Sequence, residues 1–432
     1  MEIAIPTDKS LTHRAYIFAA MAKGVSTIHK PLLSEDCFST LKAVESLGCK
    51  VEWVRPDLVK IDSPGIRGLT SPKKPLDCGN SGTTTRLLIG LLASCPQIEA
   101  TLIGDASLSK RPMRRVTDLL EPFGAKFEFL YNNDSLPLKI KGQTLHSIQT
   151  KSDIASAQVK SALILAGLNA KGDHELTLPT GSRDHTELFL KYLGIKLTIT
   201  KLSSLKNKEK IIFNGPQNIN PFEVMIPVDP SSASFFCVLG ILHPKIDVIE
   251  IRNVMDNPTR LGFLEALLES GAPITVTKKM VKNCSENLVD LKIQSLGGSV
   301  DSLDPFKISK EKMPTLIDEV PILAVAAAFA DGVSSFSGVD ELRHKESDRL
   351  QQIIDLLSFA GVGVQFANDE LVIHGPTAKL NPFEFDTQQD HRLAMSAAIL
   401  ERLIDKTCTI HHADCVNISF PNFYEVLDEV LS

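Results

Sequence analysis

No two cysteines in this sequence stand at C-x-x-C spacing, although eight are present, at positions 37, 49, 78, 95, 237, 284, 408 and 415. That scatter excludes a paired-thiol redox motif and reads as reduced structural thiols in a cytoplasmic protein. No apolar run is long enough to cross a bilayer. The longest near-continuous stretch, VPILAVAAAFA at 320–330, is flanked by Asp318, Glu319 and Asp331. The opening residues, MEIAIPTDKS, carry no basic leader ahead of a hydrophobic segment, so no secretory signal is expected. Positive charge is not in excess either: the formal net charge is −6, and nothing global draws the chain to nucleic acid or an anionic membrane. An anion site in such a chain must be built locally.

One cluster of metal-type residues, CTIHHADC, places Cys408, His411, His412, Asp414 and Cys415 within eight residues. Zinc ligands pair at other spacings and come from separated segments, whereas this stretch alternates like a strand entering a turn. No metal site is expected there.

What is present is repetition. With 432 residues, 43% hydrophobic and 23% charged, the chain is long enough for two or three domains. A polar helix start, an apolar stripe, a glycine and a short β-like run recur, marked by Gly48, Gly124, Gly194, Gly271 and Gly361. The interval is roughly seventy to ninety residues. Each glycine follows the last apolar turn, where a left-handed helix cap requires it. Between these amphipathic helices lie six nearly all-apolar ones: DKSLTHRAYIFAAMAKG, GNSGTTTRLLIGLLAS, SAQVKSALILAGLNAKG, DPSSASFFCVLGIL, IDEVPILAVAAAFADG and QQDHRLAMSAAIL. They predict buried helices with small polar or charged starts. Six α/β units divide into two domains of three, with the third closing near residue 227. The strand MEIAI is left to pair with the second domain, which puts PTDKS and IPVDPS at crossings.

Six segments carry charge or flexibility beside these starts: DKSLTHR (8–14), GNSGTTTR (79–86), SKRPMRR (109–115), SAQVKS (156–161), LRHKESDR (342–349) and QDHR (389–392). Small residues such as Gly79 and Gly82 admit close backbone approach, and buried-helix starts offer free N–H donors to anions. Cations collect at Lys9, Arg14, Arg111, Lys345, Arg349 and Arg392. Glu346 and Lys345 stand three and four residues from Arg349, which predicts one shared helical arc. Asp318 sits just before a buried helix, where it caps that helix or serves as a base. Singly, each reads as a cap, an ion-pair ladder or a solvated charge run. Their equivalent positions in successive repeats favour a common anionic ligand.

These segments, joined by SRDHTE at 182–187 and KRPM at 110–113, resemble the enolpyruvyl transferase family in order and over essentially the whole chain. Within it they are most similar to members that use 3-phosphoshikimate as acceptor. The resemblance implies an α/β (α+β) fold of two domains, each of three βαβαββ-like units with pseudo-threefold symmetry, an inside-out barrel. The expected domains are 9–227 and 228–432, the second joined by strand 1–8, closing on ligands between them. The implied reaction moves the enolpyruvyl group of phosphoenolpyruvate to the 5-hydroxyl of 3-phosphoshikimate and releases phosphate, a shikimate-pathway step that needs no metal or organic cofactor. By motif, Lys9, Gly82, Arg111, Gln158, Arg349 and Arg392 would surround phosphoenolpyruvate. Lys9, Ser10, Arg14, Ser156, Ala157, Ser182, Asp318 and Lys345 would hold 3-phosphoshikimate, with Arg183 as an addition. Asp318 would take the hydroxyl proton, and Glu346, with Lys9, would protonate the methylene carbon to give a tetrahedral ketal. A monomer with small-molecule substrates, and no nucleic-acid or membrane partner, is implied.

The chain departs from the pattern at Thr7, where a glycine is usual, at Ile418 in place of a lysine, and at Leu87 and Glu341. The alternatives are the transferase acting on UDP-N-acetylglucosamine and a non-catalytic anion-binding protein. Ser10 after Lys9 and a cysteine-free SKRPMRR loop disfavour the first, and retention of Asp318 and Glu346 disfavours the second.

Overall fold

Five of the six buried helices begin where a short polar side chain takes up free amide groups of the first turn. The computed structural model describes residues 1–432 apart from 132–133, 203–206, 298–301, 378 and 405. Among the described residues the α-helices are α1 (Lys9–Met21), α2 (Glu35–Ser46), α3 (Gly82–Ala93), α4 (Arg114–Leu120), α5 (Ala157–Asn169), α6 (His185–Tyr192), α7 (Pro230–Leu242), α8 (Gly262–Glu269), α9 (Val320–Ala327), α10 (Arg349–Phe359), α11 (His391–Ile404) and α12 (Phe423–Leu431). Asp8 Oδ1 accepts from Leu11 N at 2.7 Å at the head of α1, and Ser81 Oγ accepts from Thr84 N at 3.1 Å at α3. Ser156 serves α5 and Asp229 serves α7 in the same way, and Asp390 takes the amides of Arg392 and Leu393 at α11. α1, α3, α5, α7, α9 and α11 are buried over most of their length, as their apolar composition predicts. Each fully buried Leu, Ile or Phe in them contributes about 1.5–3 kcal/mol.

The outer helices α2, α6, α8 and α10 bury one face. Each is followed by a glycine in the left-handed region: Gly48 at φ 104°, Gly194 at 79°, Gly271 at 80° and Gly361 at 84°. Gly124, at 101°, ends the 3-10 turn after α4. A Cβ there would cost about 1–2 kcal/mol, which explains why the sequence repeats glycine at this point. Thr7 is not among the residues with positive φ, so its side chain meets no backbone strain.

The chain forms two compact units. The N-terminal unit comprises Thr7–Ile226 and Lys282–Glu286; the C-terminal unit comprises Met1–Pro6, Pro227–Val281 and Asn287–Ser432. In the N-terminal unit three four-stranded sheets share one plan. Glu223–Met225 pairs parallel to Lys23–His29, then Leu58–Pro64 and Lys50–Arg55 follow antiparallel. Leu76–Asp77, Glu99–Ile103, Leu138–Lys141 and Lys126–Phe129 repeat that order, as do Gln149–Lys151, Gly172–Pro179, Lys208–Gly215 and Leu197–Lys201.

In the C-terminal unit Lys307–Ile308, Gly332–Ser337, Glu370–Gly375 and Gly363–Ala367 follow the plan again. Val248–Asp256, Asn287–Gln294 and Ile274–Lys279 lack only the parallel edge strand. The first residues of the chain supply it: Glu2 bridges parallel to Glu250, and Ile3 N donates to Glu250 O at 3.0 Å. Among the described residues the sixth sheet is the parallel pair Glu384–Asp386 and Thr409–His411. Later in the chain the amphipathic α12 buries Phe423 edge-on to Phe235, Phe236 and Phe420. The two histidines of CTIHHADC go to separate carboxylates on the neighbouring strand. His411 Nε2 lies 2.8 Å from Glu384, and His412 Nδ1 lies 2.9 Å from Asp386.

Candidate active site

In the N-terminal unit most of the side chains singled out by the sequence stand at the starts of α1, α3 and α5. Asp8 caps α1, which leaves Lys9 and Ser10 half-buried at its mouth. Lys9 Nζ is paired with Asp36 of α2. Arg14, one turn further in, is 2% exposed and bonded through all three nitrogens. Nε donates to Thr186 Oγ1 at 2.8 Å, Nη1 to Ser10 O at 3.0 Å and Nη2 to Ser161 Oγ at 2.9 Å. Burial lowers its pKa to about 10, with Asp8 and Glu187 opposing. Arg14 thus ties α1 to α5 and α6, and Ser161 and Thr186 close the triangle at 2.6 Å.

Gly82 opens α3. A Cβ on it would sit 3.0 Å from Arg86 Nη1 and 3.5 Å from Arg111 Nη1, so the glycine gives two guanidinium groups their room. Arg86 Nη1 donates to Gln158 Oε1 at 2.5 Å, and Gln158 Nε2 donates to Thr83 Oγ1 at 3.0 Å. Gln158 of α5 is therefore brought to the start of α3. Arg111 Nη2 donates to Asn80 Oδ1 at 2.8 Å. Ser156 and Ala157 form the head of α5, and Ser182 receives Lys160 Nζ on its carbonyl oxygen at 3.4 Å. Lys160 is buried between Glu187 and Glu209, whose charges outweigh the burial and raise its pKa.

Arg86 closes the segment GNSGTTTR but does not count among the cations expected from the sequence to collect at the site. It is 8% exposed, burial lowers its pKa to about 10 with Arg115 and Arg111 adding to that, and its Nε has no partner among the described residues. The available signal was one arginine directly before the apolar run LLIGLL. Asp36, on an outer helix, carried no such signal.

The C-terminal unit holds the second cluster. Asp318 lies beside three cations: Lys345 Nζ at 3.5 Å and Arg349 Nη1 at 3.3 Å from Oδ1, and Arg392 Nη2 at 3.9 Å from Oδ2. Arg392 Nη1 also donates to the Asp318 carbonyl at 3.1 Å. Arg349 Nη2 reaches Glu346 Oε2 at 2.5 Å. Burial pulls the Arg349 guanidinium's pKa down, but Asp390, Glu346 and Asp318 together outweigh it, and the net shift is upward.

Two local expectations are corrected. LRHKESDR is not one helical arc: a 3-10 helix ends at His344, Lys345 is extended, and α10 begins at Arg349. Asp348 forces that break by capping α10, accepting from Gln351 N at 3.0 Å. The Glu346–Arg349 pair forms across the break. Nor does Asp318 cap α9, whose N-cap position is Glu319, with no side-chain cap bond. Instead Glu319 takes the Ser231 hydroxyl, and Ser231 and Asp229 both accept from Arg260 Nη2, at 2.9 and 2.7 Å. Ile418 packs against the core as the last residue of the 3-10 helix Ala413–Ile418, Leu87 is fully buried, and Glu341 pairs at the surface with Lys345 at 3.5 Å.

Two basic clusters set around acid side chains suit multiply anionic substrates and proton transfer. Known proteins point the same way. Residues 1–427 match the family described as EPSP synthase (3-phosphoshikimate 1-carboxyvinyltransferase). The 3-phosphoshikimate 1-carboxyvinyltransferase of Caldicellulosiruptor bescii is 41% identical over 426 residues, spanning 98% of this chain and 95% of that one. The protein of the same name from Aquifex aeolicus is 41% identical over 430 residues, 100% of this chain and 97% of its own. The solved EPSP synthase of Acinetobacter baumannii superposes with a TM-score of 0.88 at 34% identity, covering 100% of this chain and 95% of that chain. The enolpyruvyl transferase NikO of Streptomyces tendae shares the fold, with a TM-score of 0.70 at 14% identity over 100% of this chain and 94% of its own.

Proposed function

The chain belongs to the EPSP synthase (3-phosphoshikimate 1-carboxyvinyltransferase) family, and from that premise we propose how its residues divide the work. The reaction transfers the carboxyvinyl group of phosphoenolpyruvate to 3-phosphoshikimate and releases phosphate, within the shikimate pathway. The observation that carries the residue assignment is Asp318 between Lys345, Arg349 and Arg392, with Glu346 on the same arginine.

Phosphoenolpyruvate is held by Lys9, Gly82, Arg111, Gln158, Arg349 and Arg392. The acceptor is held by Lys9, Ser10, Arg14, Ser156, Ala157, Ser182, Asp318 and Lys345. Arg14 acts through its buried bonds to Ser161 and Thr186, which fix the heads of α1, α5 and α6. Anionic substrates draw the cations that hold Asp318, and a carboxylate relieved of cations takes a proton more readily. Asp318 then accepts the proton of the 5-hydroxyl as its oxygen bonds to C2 of phosphoenolpyruvate. Glu346, with Lys9, gives a proton to C3, completing a tetrahedral ketal. Loss of a proton from the new methyl group and cleavage of the C2–O bond to phosphate give the product. The guanidinium groups neutralise charge on the departing phosphate.

The same reading takes residues 9–227 and 228–432, the latter with strand 1–8, as the domains of a cytoplasmic monomer. Eight free cysteines and a net charge of −6 support that setting. No helix among the described residues is long and apolar enough to cross a membrane. Mass spectrometry of the product tests the reaction: 3-phosphoshikimate gains one carboxyvinyl group, whereas unchanged acceptor counts against it.

A further inference from the structure

Arg111 has its shortest side-chain bond to Asn80, which is itself held by another side chain. Arg111 Nη2 donates to Asn80 Oδ1 at 2.8 Å and to Ser107 Oγ at 3.3 Å, and Nη1 donates to the Asn80 carbonyl at 3.4 Å. On its other side Asn80 Nδ2 donates to Asp105 Oδ2 at 2.7 Å. Asp105 uses Oδ1 for the amide of Leu108, at 2.7 Å, and its own amide donates to Gly79 O at 2.9 Å. The carboxylate is thus fixed at both ends of a tight turn against the glycine loop.

The chemistry of the two neighbours fixes the Asn80 amide. A guanidinium only donates and a carboxylate only accepts, so one orientation of the amide satisfies both and the flipped one satisfies neither. Three of the five Arg111 N–H groups go to these contacts, leaving Nε–H and one Nη1–H, with Nη1 3.5 Å from where a Cβ on Gly82 would stand.

We propose that Asn80 and Asp105 are positioning residues for phosphoenolpyruvate: Asp105 sets the orientation of the Asn80 amide, and Asn80 Oδ1 turns the remaining Arg111 N–H groups toward the ligand's anionic group. The inference rests on the assignment of Arg111 to phosphoenolpyruvate. It adds that this arginine is preorganised, so the affinity is sensitive to a side chain that never meets the substrate.

Exchange of donor and acceptor tests this. Asp105→Asn keeps the Leu108 contact through its carbonyl and presents an NH2 group to Asn80. The Asn80 amide then flips and turns its own NH2 toward Arg111. The KM for phosphoenolpyruvate rises about tenfold, while the KM for 3-phosphoshikimate stays within about twofold of wild type. The double variant Asn80→Asp/Asp105→Asn restores an acceptor both to Arg111 and to the amide introduced at position 105, and the KM returns to within about threefold of wild type. An unchanged phosphoenolpyruvate KM in Asp105→Asn, both KM values rising together, or a double variant no better than the single overturns the proposal. If Asp105→Asn does not fold, Asn80→Ala serves, with the same split between the two KM values expected and equal shifts overturning it. Arg111→Lys separates the two levels. A raised phosphoenolpyruvate KM there with none in Asp105→Asn defeats the relay alone, and no rise in Arg111→Lys defeats the underlying assignment and the relay with it.

Discussion

Arg349 and Asp390 form an ion pair out of reach of water: Nε donates to Oδ2 at 2.9 Å, and the side chains are 1% and 0% exposed. Asp390 also caps α11 through its other oxygen, so one carboxylate fixes both the arginine and the helix that carries Arg392. The remaining guanidinium nitrogens of Arg349 point at Glu346 and Asp318. An arginine held this firmly has little to reorganise when an anion binds.

Asp390→Ala leaves that guanidinium charged and buried with its strongest partner gone, at a cost of about 3–5 kcal/mol. Urea denaturation measures it. A loss below about 1 kcal/mol contradicts the pair's role.

Asp318→Asn keeps the shape of the carboxylate and removes its basicity. Arg349 retains Asp390 and Glu346, so stability changes by less than about 1 kcal/mol, while kcat falls by roughly 10²–10⁴. Equilibrium binding of 3-phosphoshikimate persists. Lost binding with turnover preserved in the fraction that does bind contradicts the assignment.

Gly82→Ala crowds Arg86 and Arg111 at 3.0 and 3.5 Å without opposing the helix, since alanine is favoured there over glycine. The KM for phosphoenolpyruvate rises, the KM for 3-phosphoshikimate does not, and the melting temperature is unchanged or higher. A rise confined to 3-phosphoshikimate contradicts the geometry.

The repeats, the buried helices and the five marking glycines were legible because periodicity and positive-φ demands are local. MEIAI, with no partner nearby in sequence, forms only the single parallel bridge of Glu2 to Glu250. Other features depend on contacts far apart in the chain. Nothing near Asp36 in sequence points to Lys9, and nothing near Arg14 points to Ser161 and Thr186 as its partners. The helical arc expected at LRHKESDR failed because Asp348 competes as a cap, an outcome that residue spacing does not encode.

His13 gives the fold a pH dependence. It is fully buried on α1, its Nδ1 2.6 Å from Thr40 Oγ1, and Thr40 continues to Thr84 at 2.5 Å. Burial lowers its pKa from 6.5 to about 3, with Asp36 opposing and Lys9 and Arg14 adding to the fall. The unfolded chain therefore takes a proton near pH 6.5 that the folded chain refuses, so stability falls as the pH drops through that range. Between pH 7 and 5 the loss from His13 is roughly 2 kcal/mol. His174, also lowered by burial, adds in the same direction. His13→Asn keeps an amide near the Nδ1 position and removes its share, which denaturation at the two pH values detects. An unaltered pH dependence contradicts it.

The central claim is that the two basic clusters serve enolpyruvyl transfer to 3-phosphoshikimate. Phosphate release from phosphoenolpyruvate, followed with 3-phosphoshikimate or UDP-N-acetylglucosamine as acceptor, tests it most directly. The account predicts release with the first acceptor and none with the second. Folded protein that releases phosphate only with UDP-N-acetylglucosamine, or with neither, contradicts it.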